Sequence, residues 1–165
     1  MPVTLEGSCR CGAVAFACAS HAPQPYQRCY CSICRKTAGG GGYAINLSAD
    51  ARTLDIHDPE GLIRIFRAEI LGEDGTCALS TAERNFCSRC GTALWLFSPE
   101  WPELVHPFAS AIDSDLPVPP DSVHLMLRFK PAWVEPQVGP GDAQFDLYPT
   151  QSIEDWHRER GLWVE

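Results

Sequence analysis

No apolar run in this chain of 165 residues approaches the roughly 20 needed to span a bilayer. The longest candidate, Gly12 to Cys18, is far too short, so no membrane partner is expected. The opening Met1-Pro2-Val3-Thr4-Leu5-Glu6 lacks the basic flank and apolar stretch of a secretory signal. That absence predicts a cytoplasmic protein, in a compartment where thiols stay reduced. A block of lysine or arginine is missing too. Thirteen basic against twenty-one acidic side chains give a formal charge of −8. A nucleic-acid binder needs a basic face to release phosphate counterions, so nucleic acid is not an expected partner. Repeats, low-complexity tracts and linkers are also absent. With 45% apolar and 21% charged residues, the chain reads as one soluble globular domain over 1–165.

What the sequence does have is cysteine. Nine is an odd number, so complete disulfide pairing is impossible. Seven fall in three tight groups: Cys9 and Cys11, then Cys29, Cys31 and Cys34, then Cys87 and Cys90. Only Cys18 and Cys77 stand alone. Such clustering points to metal. Structural zinc takes four thiolate or imidazole ligands, whereas catalytic zinc keeps three protein ligands and one open position. Seven divides naturally as four plus three.

Cys87-Ser88-Arg89-Cys90-Gly91 has the form of a zinc knuckle, and Cys9-Arg10-Cys11-Gly12 offers a similar pair. Together they predict a closed four-cysteine site that ties residue 11 to residue 87. Cys29, Cys31 and Cys34 are too compact for two half-sites and predict an open three-cysteine zinc. A closed second site, completed by Cys18, Cys77 or a histidine, is the competing reading, and no second metal at all is the remaining one. Arg35 and Lys36 follow the last ligand directly. They are candidates for attracting an anionic substrate or balancing the cluster's charge, and otherwise form a solvated pair.

The remaining pattern predicts a mainly β protein. Ala13 to Cys18, Tyr43 to Leu47 and Leu62 to Arg67 read as strands. A hairpin is expected around Gly72-Glu73-Asp74-Gly75, with Cys77 to Phe86 returning. Thr92 to Phe97 and Val123 to Phe129 complete the set. Ten of the fourteen prolines lie after residue 98, which predicts a loop-rich stretch from Pro99 to Pro149. One short C-terminal helix is expected, capped by Ser152, carrying Ile153, Trp156, His157 and Arg160 on one side and stopping at Gly161. Cys18 reads as a core thiol, and the five scattered histidines read as surface or packing. Trp95, Trp101, Trp133 and Trp163 read as aromatic core.

At this point the sequence resembles the glutathione-dependent formaldehyde-activating enzymes and their centromere-protein-V-like relatives. The segments that carry the resemblance are Gly7 to Val14, Tyr30 to Lys36 and Asn85 to Thr92, with the ending Ser152 to Trp156. The resemblance implies a beta-tent of antiparallel sheets pinned by zinc on Cys9, Cys11, Cys87 and Cys90. It implies a catalytic zinc on Cys29, Cys31 and Cys34. It further implies a carbon–sulfur lyase that joins glutathione, as co-substrate, to formaldehyde, giving S-hydroxymethylglutathione. A noncatalytic zinc module that binds a protein partner, and a thiol-based redox sensor, are the alternatives from other classes.

Overall fold

A computed structural model describes all 165 residues. In chain order the first strands are β1 (Val3–Ser8), β2 (Ala15–Ser20), β3 (Gln27–Cys29), β4 (Ala44–Ile45), β5 (Ala49–Asp50), β6 (Asp55–His57) and β7 (Ile63–Phe66). They are followed by β8 (Glu69–Leu71), β9 (Cys77–Leu79), β10 (Glu83–Cys87), β11 (Ala93–Phe97), β12 (Leu104–Pro107), β13 (Val123–Leu125) and β14 (Ala143–Gln144). Helix α1 (Ser32–Ala38) lies between β3 and β4, and α2 (Ile153–Glu159) closes the chain. The fold is mainly β with a short C-terminal helix, as the sequence pattern predicts.

The strands form four sheets: β1-β2-β6, β5-β12-β11-β10-β7, β14-β13-β3-β4 and the hairpin β8-β9. Alternation along β2 puts Phe16 and Cys18 inward, where they meet Leu5 of the same sheet and Leu94, Trp95 and Val105 of the five-stranded sheet. Phe16 and Trp95 pack edge-to-face with ring centroids 5.1 Å apart, a favoured aromatic geometry. A second core lies between the four-stranded sheet and the helices, built from Tyr26, Cys29, Cys34, Ala44, Val123, Leu125 and Trp156. Cys9 and Cys87 belong to the first core, and Cys29 and Cys34 to the second.

Helix α2 follows its sequence signals. The Ser152 hydroxyl accepts from the Asp155 N–H at 3.0 Å, and Gly161 takes a left-handed φ of 66°. Trp156 stacks on Tyr26, centroids 3.7 Å apart, and pins the helix to the sheet.

Four expectations need correction. The sheets are not all antiparallel, because β13 runs parallel to both β3 and β14. The strand expected over Val123 to Phe129 ends at Leu125, because Met126 adopts φ 59° and a 3-10 turn follows. The return from the hairpin is two strands, not one. Leu71 pairs with Cys77 as expected, but Ser80 turns back to Ala68 and β10 joins another sheet. Of the four tryptophans read as core, Trp95 is buried, whereas Trp101 and Trp133 are exposed.

Candidate metal centres

Two clusters of cysteine sulfurs emerge from this framework. The first joins two tight turns. Between β1 and β2, the Cys9 N–H donates to Val14 O and the Gly12 N–H to Cys9 O. Between β10 and β11, the Cys87 N–H donates to Thr92 O and the Gly91 N–H to Cys87 O. Both turns need a left-handed residue after the second cysteine, and Gly12 (φ 77°) and Gly91 (φ 76°) provide it. The turns are tied by the Arg10 N–H, which donates to Thr92 Oγ1 at 3.0 Å. Their sulfurs, those of Cys9, Cys11, Cys87 and Cys90, all lie within 4.8 Å of one another.

The separations test whether a metal suits this set. Four sulfurs held about 2.3 Å from a tetrahedral zinc stand about 3.8 Å apart. Cys9 Sγ lies 3.4 Å from Cys11 Sγ, which lies 3.9 Å from Cys87 Sγ. A disulfide would need about 2.05 Å, and all nine cysteines are free thiols. The Val14 N–H donates to Cys9 Sγ at 3.3 Å, a contact that favours a thiolate. The sulfurs also disagree about their protons. Cys90 is held down to about 5, chiefly by the Thr92 hydroxyl. Cys11 is pushed up to about 11, because Cys9 and its other sulfur neighbours outweigh the Ala13 N–H. A soft divalent cation at the centre would let all four become thiolates. The donor set fits one.

The second cluster is local. Cys29 ends β3, Cys31 caps α1 and Cys34 lies in its first turn, and the three sulfurs are again within 4.8 Å. Cys31 Sγ accepts the Cys34 N–H at 3.2 Å, so a ligand candidate doubles as the helix cap. No histidine, carboxylate or further cysteine completes the group. Cys18 is buried in the other core, and Cys77 is exposed on the β8-β9 hairpin beside Glu69. Here too the protons conflict. Hydrogen bonds from Cys29 and Cys31 hold Cys34 well below the ordinary thiol range, with Arg84 adding to the effect. Contacts with Cys31 and Cys34, together with burial, push Cys29 up.

Arg35 and Lys36 lie on α1 just beyond these cysteines. Lys36 is exposed, and the Arg35 Nε is buried without a hydrogen-bond partner. The cation that touches the cluster is a different one. Arg84, on β10, donates from Nη2 to Cys34 Sγ at 3.5 Å and from Nη1 to Thr37 Oγ1 at 3.2 Å. Asn46 Nδ2 approaches Cys34 Sγ at 3.9 Å, and its Oδ1 is buried and unpartnered. The Tyr148 phenol is raised above its ordinary value by desolvation and by the three cysteines.

Behind the loop that carries Cys29 and Cys31 lies a buried polar chain. The His124 Nε2–H donates to Asp142 Oδ2 at 3.1 Å, which leaves Nδ1 to accept from the Tyr30 hydroxyl at 2.9 Å. Burial favours a protonated Asp142, but N–H donors from Gly139 and Ser122, together with His124, hold its carboxyl down. Tyr30, between two ligand candidates, is thereby fixed at its tip. Neither Arg84 nor this chain is apparent from local spacing. The one available signal was a charged residue inside the short strand that leads into Cys87.

Fold and clusters together define a mainly β protein built around two groups of cysteine sulfurs, each suited to chelating a metal. Comparison with known proteins shows the family. A family model described as "Glutathione-dependent formaldehyde-activating enzyme" matches residues 4–127. A protein of Halomonas elongata named "Putative glutathione-dependent formaldehyde-activating enzyme" is 61% identical over 158 residues, 96% of this chain and 97% of that one. A crystal structure of a Rhodobacter sphaeroides protein aligns with a TM-score of 0.47 and 20% identity, over 85% of this chain and 98% of that one. The chain belongs to the glutathione-dependent formaldehyde-activating enzyme family.

Proposed function

We propose that this protein is a zinc-dependent carbon–sulfur lyase that makes and breaks the adduct of a small thiol with a small aldehyde. Glutathione and formaldehyde, the pair in the family's description, are the proposed substrates, and S-hydroxymethylglutathione is the adduct. The observation that carries this reading is the three-sulfur cluster of Cys29, Cys31 and Cys34, with no fourth protein ligand. These residues would hold zinc with one position open. When bound, that ion would supply positive charge that lowers the pKa of a thiol brought beside it.

The chain's own side chains account for the rest. Arg84 and Asn46 hold Cys34 from outside the cluster. Arg35 and Lys36 face the task of attracting the carboxylates of glutathione. As the thiolate sulfur bonds to the carbonyl carbon, the C=O π pair moves to oxygen, which takes up a proton. Solvent water would supply that proton.

Cys9, Cys11, Cys87 and Cys90 would hold a second zinc whose binding free energy becomes folding free energy. On this reading residues 1–165 are one beta-tent domain at work in a reducing, cytoplasmic setting.

Exchange spectroscopy of formaldehyde with glutathione by NMR tests the proposal. Zinc-loaded protein at micromolar concentration is expected to speed exchange between free thiol and adduct well above the spontaneous rate. Unchanged exchange, with two zinc ions bound per chain, would overturn the glutathione–formaldehyde assignment.

A further inference from the structure

We propose that Arg84 is a positioning residue for the three-cysteine cluster, the buried counter-charge that holds Cys34 and sets how tightly the cluster retains metal. The inference rests on reading Cys29, Cys31 and Cys34 as a metal site. Arg84 carries its charge in an unusual place. Arg84 is only 8% exposed, and a buried guanidinium is costly unless an anion compensates it. Yet the arginine ion pairs of the structure involve Arg52, Arg89, Arg158 and Arg160, and Arg84 has no carboxylate partner. Its donors go to Cys34 Sγ and Thr37 Oγ1.

The cluster has the reciprocal problem. Three thiolates around one divalent ion leave a single negative charge, and Cys29 and Cys34 are buried. The four-cysteine cluster differs, because Cys11 and Cys90 are exposed and solvent can share its charge. The cations beside that cluster, Arg10 and Arg89, are both exposed, and Arg89 is already paired with Glu60. Only the buried cluster needs a counter-charge from within the protein, and Arg84 is the buried cation that touches it.

The geometry also aims the guanidinium. Strand β10 is held on both sides, with Arg84 opposite Phe66 of β7 and Leu96 of β11. The Thr37 hydroxyl donates to Ile33 O at 2.6 Å, which leaves an oxygen lone pair for Arg84 Nη1. One planar fork thus spans a ligand sulfur and the helix that carries it. Outer contacts of this kind typically change metal affinity by about 10–100-fold.

The test is chelator competition on zinc-loaded full-length protein, read with a chromophoric chelator, for wild type, Arg84→Gln and Arg84→Lys. Wild type is expected to release zinc in two steps. In Arg84→Gln the step from the three-cysteine cluster should be at least about tenfold weaker, with the four-cysteine step unmoved. Arg84→Lys should recover part of the loss. Cobalt loading should show shifted sulfur-to-metal charge-transfer bands for the three-cysteine cluster in Arg84→Gln. Two release steps both unshifted in Arg84→Gln, or both shifted equally, would overturn the role of Arg84. If Arg84→Gln does not fold, Thr37→Val removes the acceptor that aims the fork and should weaken the same step several-fold. An unaltered Thr37→Val protein would then overturn it. Wild-type protein that binds a single zinc would instead overturn the three-cysteine metal site, and this inference with it.

Discussion

Cys87→Ala is expected to lose zinc and soluble fold together. Cys87 is fully buried, ends β10 opposite Ile63, and turns the chain through its N–H to Thr92 O. Its sulfur lies 3.9 Å from that of Cys11, so one ion would bridge chain segments 76 residues apart. Structural zinc in small domains contributes about 10–16 kcal/mol of apparent binding free energy. The whole stability of an ordinary domain is about 5–15 kcal/mol. Losing the ion, and leaving a cavity in the first core, should exceed what the sheets supply alone. Metal analysis and circular dichroism of the purified variant check this. A folded Cys87→Ala protein that retains two zinc ions would contradict the assignment of that cluster.

The opposite result is expected for Cys31→Ala. Cys31 is half-buried and caps α1, so its loss removes the Cys34 N–H···S contact. A lost cap costs about 1 kcal/mol, which the fold can bear. The second core is otherwise kept by Tyr26, Val123, Leu125 and Trp156. Activity should fall far more, because a metal's charge stabilisation is worth several kcal/mol, on the order of 10³-fold in rate. The expected protein melts near the wild-type temperature, carries one zinc and shows background exchange. If it unfolds as readily as Cys87→Ala, the two clusters do not divide the labour as proposed.

The cysteine groups were legible in the sequence because a ligand loop must keep its donors a few residues apart. The pairing of Cys9 and Cys11 with Cys87 and Cys90 followed from counting ligands and matching two glycine-ended turns. Helix α2 was legible through Ser152 and Gly161, which act locally. Helix α1 was not. It has seven residues, and its cap is a cysteine sulfur instead of one of the usual oxygen side chains. Arg84 and the Tyr30–His124–Asp142 chain were hidden for a different reason. Arg84 meets Cys34 across 50 residues, and Tyr30 meets His124 across 94, so only the assembled sheets bring them together. Arg35 and Lys36 were prominent because they adjoin Cys34 in sequence, whereas the cation in contact with its sulfur comes from β10. The parallel pairing of β13 with β3 likewise arises from a long connection that no local pattern announces.

The most direct test of two clusters with divided roles is a graded chelator titration of the zinc-loaded wild-type protein. Zinc released, circular dichroism and thiol–formaldehyde exchange are followed in the same samples. The first equivalent of zinc should leave with the spectrum unchanged and the exchange activity abolished, and the second should leave only as the fold collapses. Loss of the folded spectrum with the first equivalent, or exchange that survives its removal, would contradict the account.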